Sequence, residues 1–282
     1  MDASPAAIAL FARLLAEETG QELATARRWR IGALLEPLAK AENLPSVDAL
    51  ATAISAGRTD LRDCAVEALL NNETYFFRDR ALFDLLLGPG LTRLEAAGAA
   101  EKRLRIWCAG CSTGQEVWSL AMIFAEQARR WAGWSIEIVG TDVSAAAIAQ
   151  ARSGTYSQFE VQRGLPVGQM MRWFSDADRK AWRIDPALAR TVRFQRHNLL
   201  HPAPSPGRFD LLLCRNVLLY FPAEGRAEAF RRLASAAAPD GLLMLGAAET
   251  VIGQTDAFRP DPALRGLYAP SLAAASARRA AS

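Results

Sequence analysis

The sequence predicts an α/β protein in which a doubly wound parallel sheet follows an all-helical N-terminal domain. Three observations predict it. Residues 4–70 carry their apolar residues at helical spacing only. From Leu104 onward, short apolar runs alternate with amphipathic stretches, the pattern of strands and crossover helices. Residues 156–191 break the alternation with GLP, Trp173, Phe174, Trp182 and many charges, and read as an insertion with a small structure of its own. The expected organisation is a helical domain over 1–70, an α/β domain over 71–272 carrying the insertion, and a disordered tail over 273–282.

Four apolar stripes define the helical domain: Ile8, Phe11, Leu14 and Leu15; Ile31, Leu34, Leu35 and Leu38; Val47, Leu50, Ala51 and Ile54; and Leu61, Ala65, Ala68 and Leu69. Gly20, Pro45 and Gly57 punctuate them, and Ser46 and Thr59 are the expected N-caps. In the α/β region, residues 104–110 (LRIWCAG) form a run suited to a buried parallel strand. An amphipathic helix is expected over 115–131, with Val117, Leu120, Ala121, Phe124, Ala128 and Trp131 on one face. A strand over 136–142 and a helix over 144–154 follow, the latter capped by Ser144 and stopped by Gly154. Further strands are expected at 192–198, 209–216 and 241–249, with a helix at about 223–237 before the last.

Composition excludes several classes. The 282 residues are 51% apolar and 22% charged, ordinary for a globular protein with a real core. A net charge of +3 argues against a general nucleic-acid binder. No uncharged apolar run reaches membrane-spanning length, and MDASPAAIAL has no basic export n-region, so a cytoplasmic location is expected. Cys108 and Cys111 form a C-x-x-C that redox or metal chemistry could use, but a strand end and a tight loop explain them as well. A second C-x-x-C is missing, and His197 and His201 are the only histidines. No metal site and no Ser-His-Asp triad is expected.

Five constellations carry chemistry. Residues 71–79, NNETYFFRD, combine two amides, two acids, a threonine hydroxyl, three aromatics and an arginine in an order that no helix or strand period explains. Standing just before the α/β pattern, such a loop suits a site that orients an anionic substrate near a cationic or nucleoside ligand. Residues 109–116, AGCSTGQE, are a tight loop between strand and helix, where glycines and free N–H groups let a ligand approach. The G-x-x-x-G form lacks the full dinucleotide fingerprint, which disfavours pyrophosphate. Glu116 falls in the first helical turn, where an acid also suits the helix dipole.

Asp142 ends the second strand, where a carboxylate can accept both ribose hydroxyls or simply start the next helix. Asn198 and Leu199 follow the third strand and can bond and cover an adenine, although a turn asparagine is common there. Residues 214–221, CRNVLLYF, place Arg215 and Asn216 at the carboxyl edge of the fourth strand, with Tyr220 one turn later. A buried arginine is costly without a partner, so Arg215 belongs either to a site or to a salt bridge. Together these features describe a nucleoside pocket without a phosphate cradle, which S-adenosylmethionine fits.

In this order, NNETYFFRD, AGCSTGQEVWSLAM, GTD, ARSGTY, FEVQRGLP and CRNVLLYF resemble the CheR-type chemotaxis receptor methyltransferases over roughly residues 5–270. Those enzymes esterify glutamates of methyl-accepting chemotaxis proteins with S-adenosylmethionine. The resemblance implies a Rossmann-like methyltransferase domain, an N-terminal helical domain and a small inserted antiparallel β subdomain. It also implies that Asn72, Thr74, Arg78, Glu116, Asp142, Asn198, Leu199, Arg215 and Asn216 contact the cofactor. Glu116 would hold its amino end and Asp142 its ribose. Arg78 and Tyr220 would flank the transferable methyl and the incoming carboxylate.

Two departures matter. Gln115 stands where the family pattern often has an acid, so no role is assigned to it. Residues 175–186, SDADRKAWRIDP, lack the glycine cluster that in some members docks a receptor C-terminal pentapeptide, so independence of that tether is expected. Arg27, Arg28 and Arg30 around Trp29 are either a solvated helix face or a dock for acidic receptor helices, as the resemblance implies. Two other functions remain open on the sequence: methylation of a different substrate, and a non-catalytic module that binds the cofactor or its product.

Overall fold

A computed structural model describes residues 3–23, 28–178, 181–205 and 207–271. Within it the chain separates into two compact units. The expected tail at 273–282 lies outside the described residues.

The first unit comprises residues 1–71 and 219–225. Among its described residues, four helices form it: α1 (Pro5–Thr19), α2 (Arg30–Ala41), α3 (Val47–Ser55) and α4 (Thr59–Leu69). Their stripes meet in one core around Phe11, Leu15, Ile31, Leu35, Leu50 and Leu61. The Ser4 Oγ accepts from the Ala7 N–H at 3.2 Å and Ser46 Oγ from Ala49 at 3.1 Å, so both helices begin on a side-chain cap. Thr59 is not the cap expected of it. Arg58 takes the cap position, and its guanidinium binds Asp60 in the first turn, leaving Thr59 as the first helical residue.

The second unit comprises residues 72–218 and 226–282. It opens with α5 (Arg80–Leu85) and α6 (Leu91–Gly98), which precede β1 (Arg103–Ala109). Then follow α7 (Gln115–Glu126), β2 (Ser135–Asp142) and α8 (Ala145–Ser153). The insertion supplies β3 (Thr155–Ser157), α9 (Gln158–Gln162), α10 (Val167–Trp173), β4 (Phe174–Asp176) and β5 (Ala181–Ile184). The chain returns through β6 (Val192–Arg196), β7 (Phe209–Cys214), α11 (Ala223–Ala236) and β8 (Ala237–Leu245). It ends with β9 (Phe258–Pro260) and β10 (Leu267–Pro270).

The large sheet has the order β6-β2-β1-β7-β8-β10-β9. Strands β6 through β8 are parallel, as the alternation predicts. The inner strands β1, β7 and the second half of β8 are buried on both faces, which explains their near-continuous apolar runs, whereas the edge strand β6 is not buried. The purely parallel expectation is corrected at one edge, where β10 pairs antiparallel with β8 and β9 with β10. These two strands are too short, and too broken by Pro260 and Pro270, to show a strand period. A separate antiparallel sheet of order β3-β5-β4 forms from the insertion.

Two elements differ from their expected bounds by more than two residues. α7 ends at Glu126 rather than 131, and the Glu126 carboxylate accepts from Gln169 and from the Trp173 indole, both at 3.1 Å. Trp131 remains buried, packed on Phe124 at 5.3 Å. The last parallel strand spans 237–245 rather than 241–249, which leaves Gly246–Glu249 as a loop at its carboxyl end. Among the described residues no helix is long and apolar enough to cross a membrane.

Candidate active site

The order of the parallel strands reverses between β1 and β7, and ligands in such sheets bind outside the carboxyl ends at that point. There the loops after both strands lie against each other. Gly110 has φ +77, and a Cβ on it would sit 2.3 Å from Val217 Cγ2, so only glycine fits this turn.

Ser112 ties three segments together. Its N–H donates to Asp142 Oδ2 at 2.8 Å, and its hydroxyl donates to the Asn72 carbonyl at 2.8 Å. The other oxygen of Asp142 accepts from Ser144 N–H at 3.0 Å. Asp142 is thus half-buried at the end of β2, with its carboxylate fixed in orientation by the glycine loop. The insertion reaches the same loop: the Tyr156 hydroxyl donates to the Thr113 carbonyl at 2.7 Å. Ser112 was not among the expected site residues. Its only sequence signal is its place between the two glycines.

Arg215 is the charged centre. Its side chain is 2% exposed, which demands partners. One nitrogen donates to Glu116 Oε2 at 2.8 Å. The other donates to Asp79 Oδ2 at 2.8 Å and to the Arg78 carbonyl at 2.5 Å. Its Cζ lies 5.3 Å from the centroid of the Phe83 ring. Of the two alternatives for Arg215, the structure shows the salt bridge: its terminal nitrogens are spent on protein groups, which fixes Glu116 and the 78–79 backbone. Its Nε is buried without a protein partner.

The 72–79 segment is strained and anchored. Six non-glycine residues have positive φ among the described residues, and Phe77, Asp79, Ser112 and Asn216 are four of them. Each such residue costs on the order of 1–3 kcal/mol, and such strain concentrates at functional sites. The anchors are aromatic. Phe76 is fully buried, edge-on to Tyr156 at 5.3 Å and to Phe174 at 5.5 Å. The Phe77 N–H donates to Ser119 Oγ at 3.1 Å. Arg78, next in the chain, is half-buried. It donates to the Glu73 carbonyl at 3.0 Å and lies 5.6 Å over the Tyr75 ring. Arg163 binds Glu73 and holds its carboxyl below the usual range.

The remaining expected residues divide. Asn216 follows β7 with φ +60, and its Oδ1 is buried with no protein partner. Thr74 is half-buried in the same strained segment. Asn198 and Leu199 sit in the turn after β6, where Asn198 Oδ1 accepts from the Leu200 N–H at 2.9 Å, the turn role for an asparagine. Leu199 is buried beside it. Tyr220 belongs to the helical unit, and the other expected residues to the α/β unit.

Cys108, Cys111 and Cys214 are buried and Cys64 is exposed. Burial, then the Glu116 carboxylate, pushes the Cys108 thiol well up. Burial and Asp142 do the same for Cys111. Both stay protonated thiols near neutral pH, and neither forms a disulfide. No cluster of metal-ligating side chains occurs among the described residues.

Residues 72–265 match the family described as CheR methyltransferase, SAM binding domain. A chemotaxis protein methyltransferase of Vibrio parahaemolyticus is 35% identical over 252 residues, covering 88% of this chain and 90% of that one. Chemotaxis protein methyltransferase 1 of Pseudomonas aeruginosa is 34% identical over 262 residues, covering 92% and 95%. Among solved structures, SAM-bound CalS10, an amino pentose methyltransferase from Micromonospora echinaspora, aligns over 62% of this chain and 58% of its own, at 16% identity and a TM-score of 0.33.

Proposed function

The chain belongs to the CheR methyltransferase family, and from that premise we propose that it methylates glutamate side chains of chemotaxis receptors. The products are glutamate methyl esters and S-adenosylhomocysteine, and the role is sensory adaptation in the cytoplasm. One observation carries most of the weight: Arg215 and Ser112 lock the NETYFFRD segment, the glycine loop and the ends of β1, β2 and β7 into one constellation.

The residues present suit S-adenosylmethionine. The ligand has cationic and ribose groups, and the site offers the Glu116 and Asp142 carboxylates and the orphaned Asn216 Oδ1 as acceptors. Asn72, Thr74, Asn198 and Leu199 complete the proposed contact set, and Arg215 contributes by holding Glu116. The cofactor supplies a methyl group already activated on a sulfonium. The acceptor glutamate has an ordinary pKa of about 4.3, so it is ionised at neutral pH and needs no general base. No catalytic histidine is required by this reading.

What the protein supplies is position and partial desolvation. The Arg78 guanidinium can take the carboxylate on two parallel bonds. Its grip must stay moderate, because negative charge is lost from the carboxylate in the transition state. Tyr220 is proposed to bond near the sulfonium or the carboxylate. Transfer of labelled methyl to a receptor fragment as base-labile ester tests this reading against both alternatives: another substrate takes the label elsewhere, and a regulator binds cofactor without transfer.

Receptor recognition is proposed to use the basic stretch around Trp29 and no tether peptide. Trp29 is 74% exposed and Arg28 is exposed, whereas Arg27 lies outside the described residues. Arg30 lines a cavity with Glu22, Asn71 and Tyr220. Charge reversal at Arg27 and Arg28 should raise KM for receptor and leave cofactor affinity alone; an unchanged KM points to a solvated face. Low-micromolar binding of a receptor-tail pentapeptide would remove the tether-free reading.

A further inference from the structure

We infer that Glu249 is a positioning residue for the ligand-facing segment after β7. The inference rests on the cofactor reading above. β8 ends at Leu245, and the following loop brings the Glu249 carboxylate back under Asn216–Leu218. Its Oε2 accepts from the Asn216 N–H at 2.7 Å and the Gly246 N–H at 2.9 Å. Its Oε1 accepts from the Val217 N–H at 3.1 Å and the Leu218 N–H at 3.0 Å. Three of these donors are successive backbone amides, an arrangement that binds anions. The carboxylate therefore does for this loop what a bound anion does elsewhere.

The consequence falls on Asn216. Its left-handed backbone is unfavourable for a residue with a Cβ, and the carboxylate holds the amide in that conformation. The side chain is confined as well. A Cβ on Gly246 would lie 2.8 Å from Asn216 Nδ2 and 2.9 Å from Glu249 Oε2. Glycine at 246 and glutamate at 249 thus fix both the backbone and the amide of Asn216, whose Oδ1 is buried without a protein partner. Glu249 aims that acceptor at the cofactor without touching it.

Two variants test this. Glu249→Gln replaces one oxygen by an NH2 that faces backbone donors. Gly246→Ala keeps the carboxylate but crowds the amide, and its backbone conformation tolerates alanine. Each is titrated with S-adenosylhomocysteine by calorimetry, and its ligand-free Tm, cofactor KM and receptor KM are measured. Both should fold cooperatively and bind on the order of 10-fold more weakly or worse, the loss expected for disturbing hydrogen bonds to a charged group. Cofactor KM should rise while receptor KM stays near wild type.

Wild-type affinity in a folded variant overturns the inference, as does a lowered Tm with affinity intact. If Glu249→Gln does not fold, Gly246→Ala decides. If the wild-type protein itself binds no S-adenosylhomocysteine, the cofactor reading fails instead. Amide exchange at Asn216–Leu218 then judges Glu249: faster exchange in Glu249→Gln supports it and unchanged exchange refutes it.

Discussion

The Asn71 side-chain amide donates to the Tyr220 hydroxyl at 2.5 Å, within the helical unit. The Tyr220 carbonyl accepts from the Glu22 N–H at 2.7 Å. Both the backbone and the phenol of this tyrosine are therefore held by helical-unit residues, although CRNVLLYF continues directly from β7. The tyrosine expected to face the reacting groups is set by Asn71, a residue read from the sequence only as part of a polar cluster.

That relationship makes Asn71→Ala informative. Losing a neutral hydrogen bond worth about 0.5–1.5 kcal/mol should lower kcat by roughly 2- to 10-fold. Combined with Tyr220→Phe, the two losses should not add, because they remove one interaction. A double-mutant cycle on kcat checks this. Full additivity would show that Asn71 acts independently of Tyr220.

Arg215 carries a stability prediction. Arg215→Ala leaves the Glu116 and Asp79 carboxylates without their cation and frees the Arg78 carbonyl. Breaking a buried pair from one side costs about 3–5 kcal/mol. Arg215→Lys keeps the charge but lacks the fork that reaches two acids, so it should fall between alanine and wild type. Denaturant unfolding measures both. An alanine variant within about 1 kcal/mol of wild type would mean that the cluster is not a buried ion-pair network.

A pH effect follows from His197. Burial, then the neighbouring His201, holds its imidazole below the ordinary value. The unfolded chain, titrating near about 6.5, binds the proton more readily than the folded one. Stability is therefore expected to fall as the solution is acidified through that value and to level off below the folded pKa. His197→Gln should flatten this part of the stability–pH curve. NMR titration of the imidazole is the direct check, and a midpoint above the ordinary value would reverse the sign.

Much of the fold is legible because burial writes itself into the sequence. The strands at β1, β2 and β7 are apolar runs that only a two-sided core requires, and they were read to within two residues. Ser144 and Gly154 marked α8 for local reasons: a hydroxyl accepting from Ala147 at 3.0 Å, and a left-handed stop. What the sequence hid depends on distant partners. α7 stops at Glu126, whose carboxylate meets Gln169 and Trp173 of α10. β9 and β10 exist through pairing rather than pattern.

The site shows the same division. Arg215 was legible as a residue needing partners, since burying a lone charge is prohibitive. Which acids it would find was not. Ser112 and Glu249 escaped because each acts through backbone groups far away in sequence; the glycine loop marks the place of Ser112 but not its partners, and Glu249 lies in no motif. Phe76 and Phe77 are buried packing that anchors the polar cluster to the core.

One measurement bears most directly on the central claim: transfer of labelled methyl from S-adenosylmethionine to a purified receptor cytoplasmic fragment, by the wild-type protein and by Arg78→Ala. Wild type should place base-labile label on receptor glutamates, and the folded Arg78→Ala variant should lose most of it. Cofactor binding without base-labile label on any receptor, or near-normal turnover by Arg78→Ala, would contradict the proposed reaction or the role of Arg78 in it.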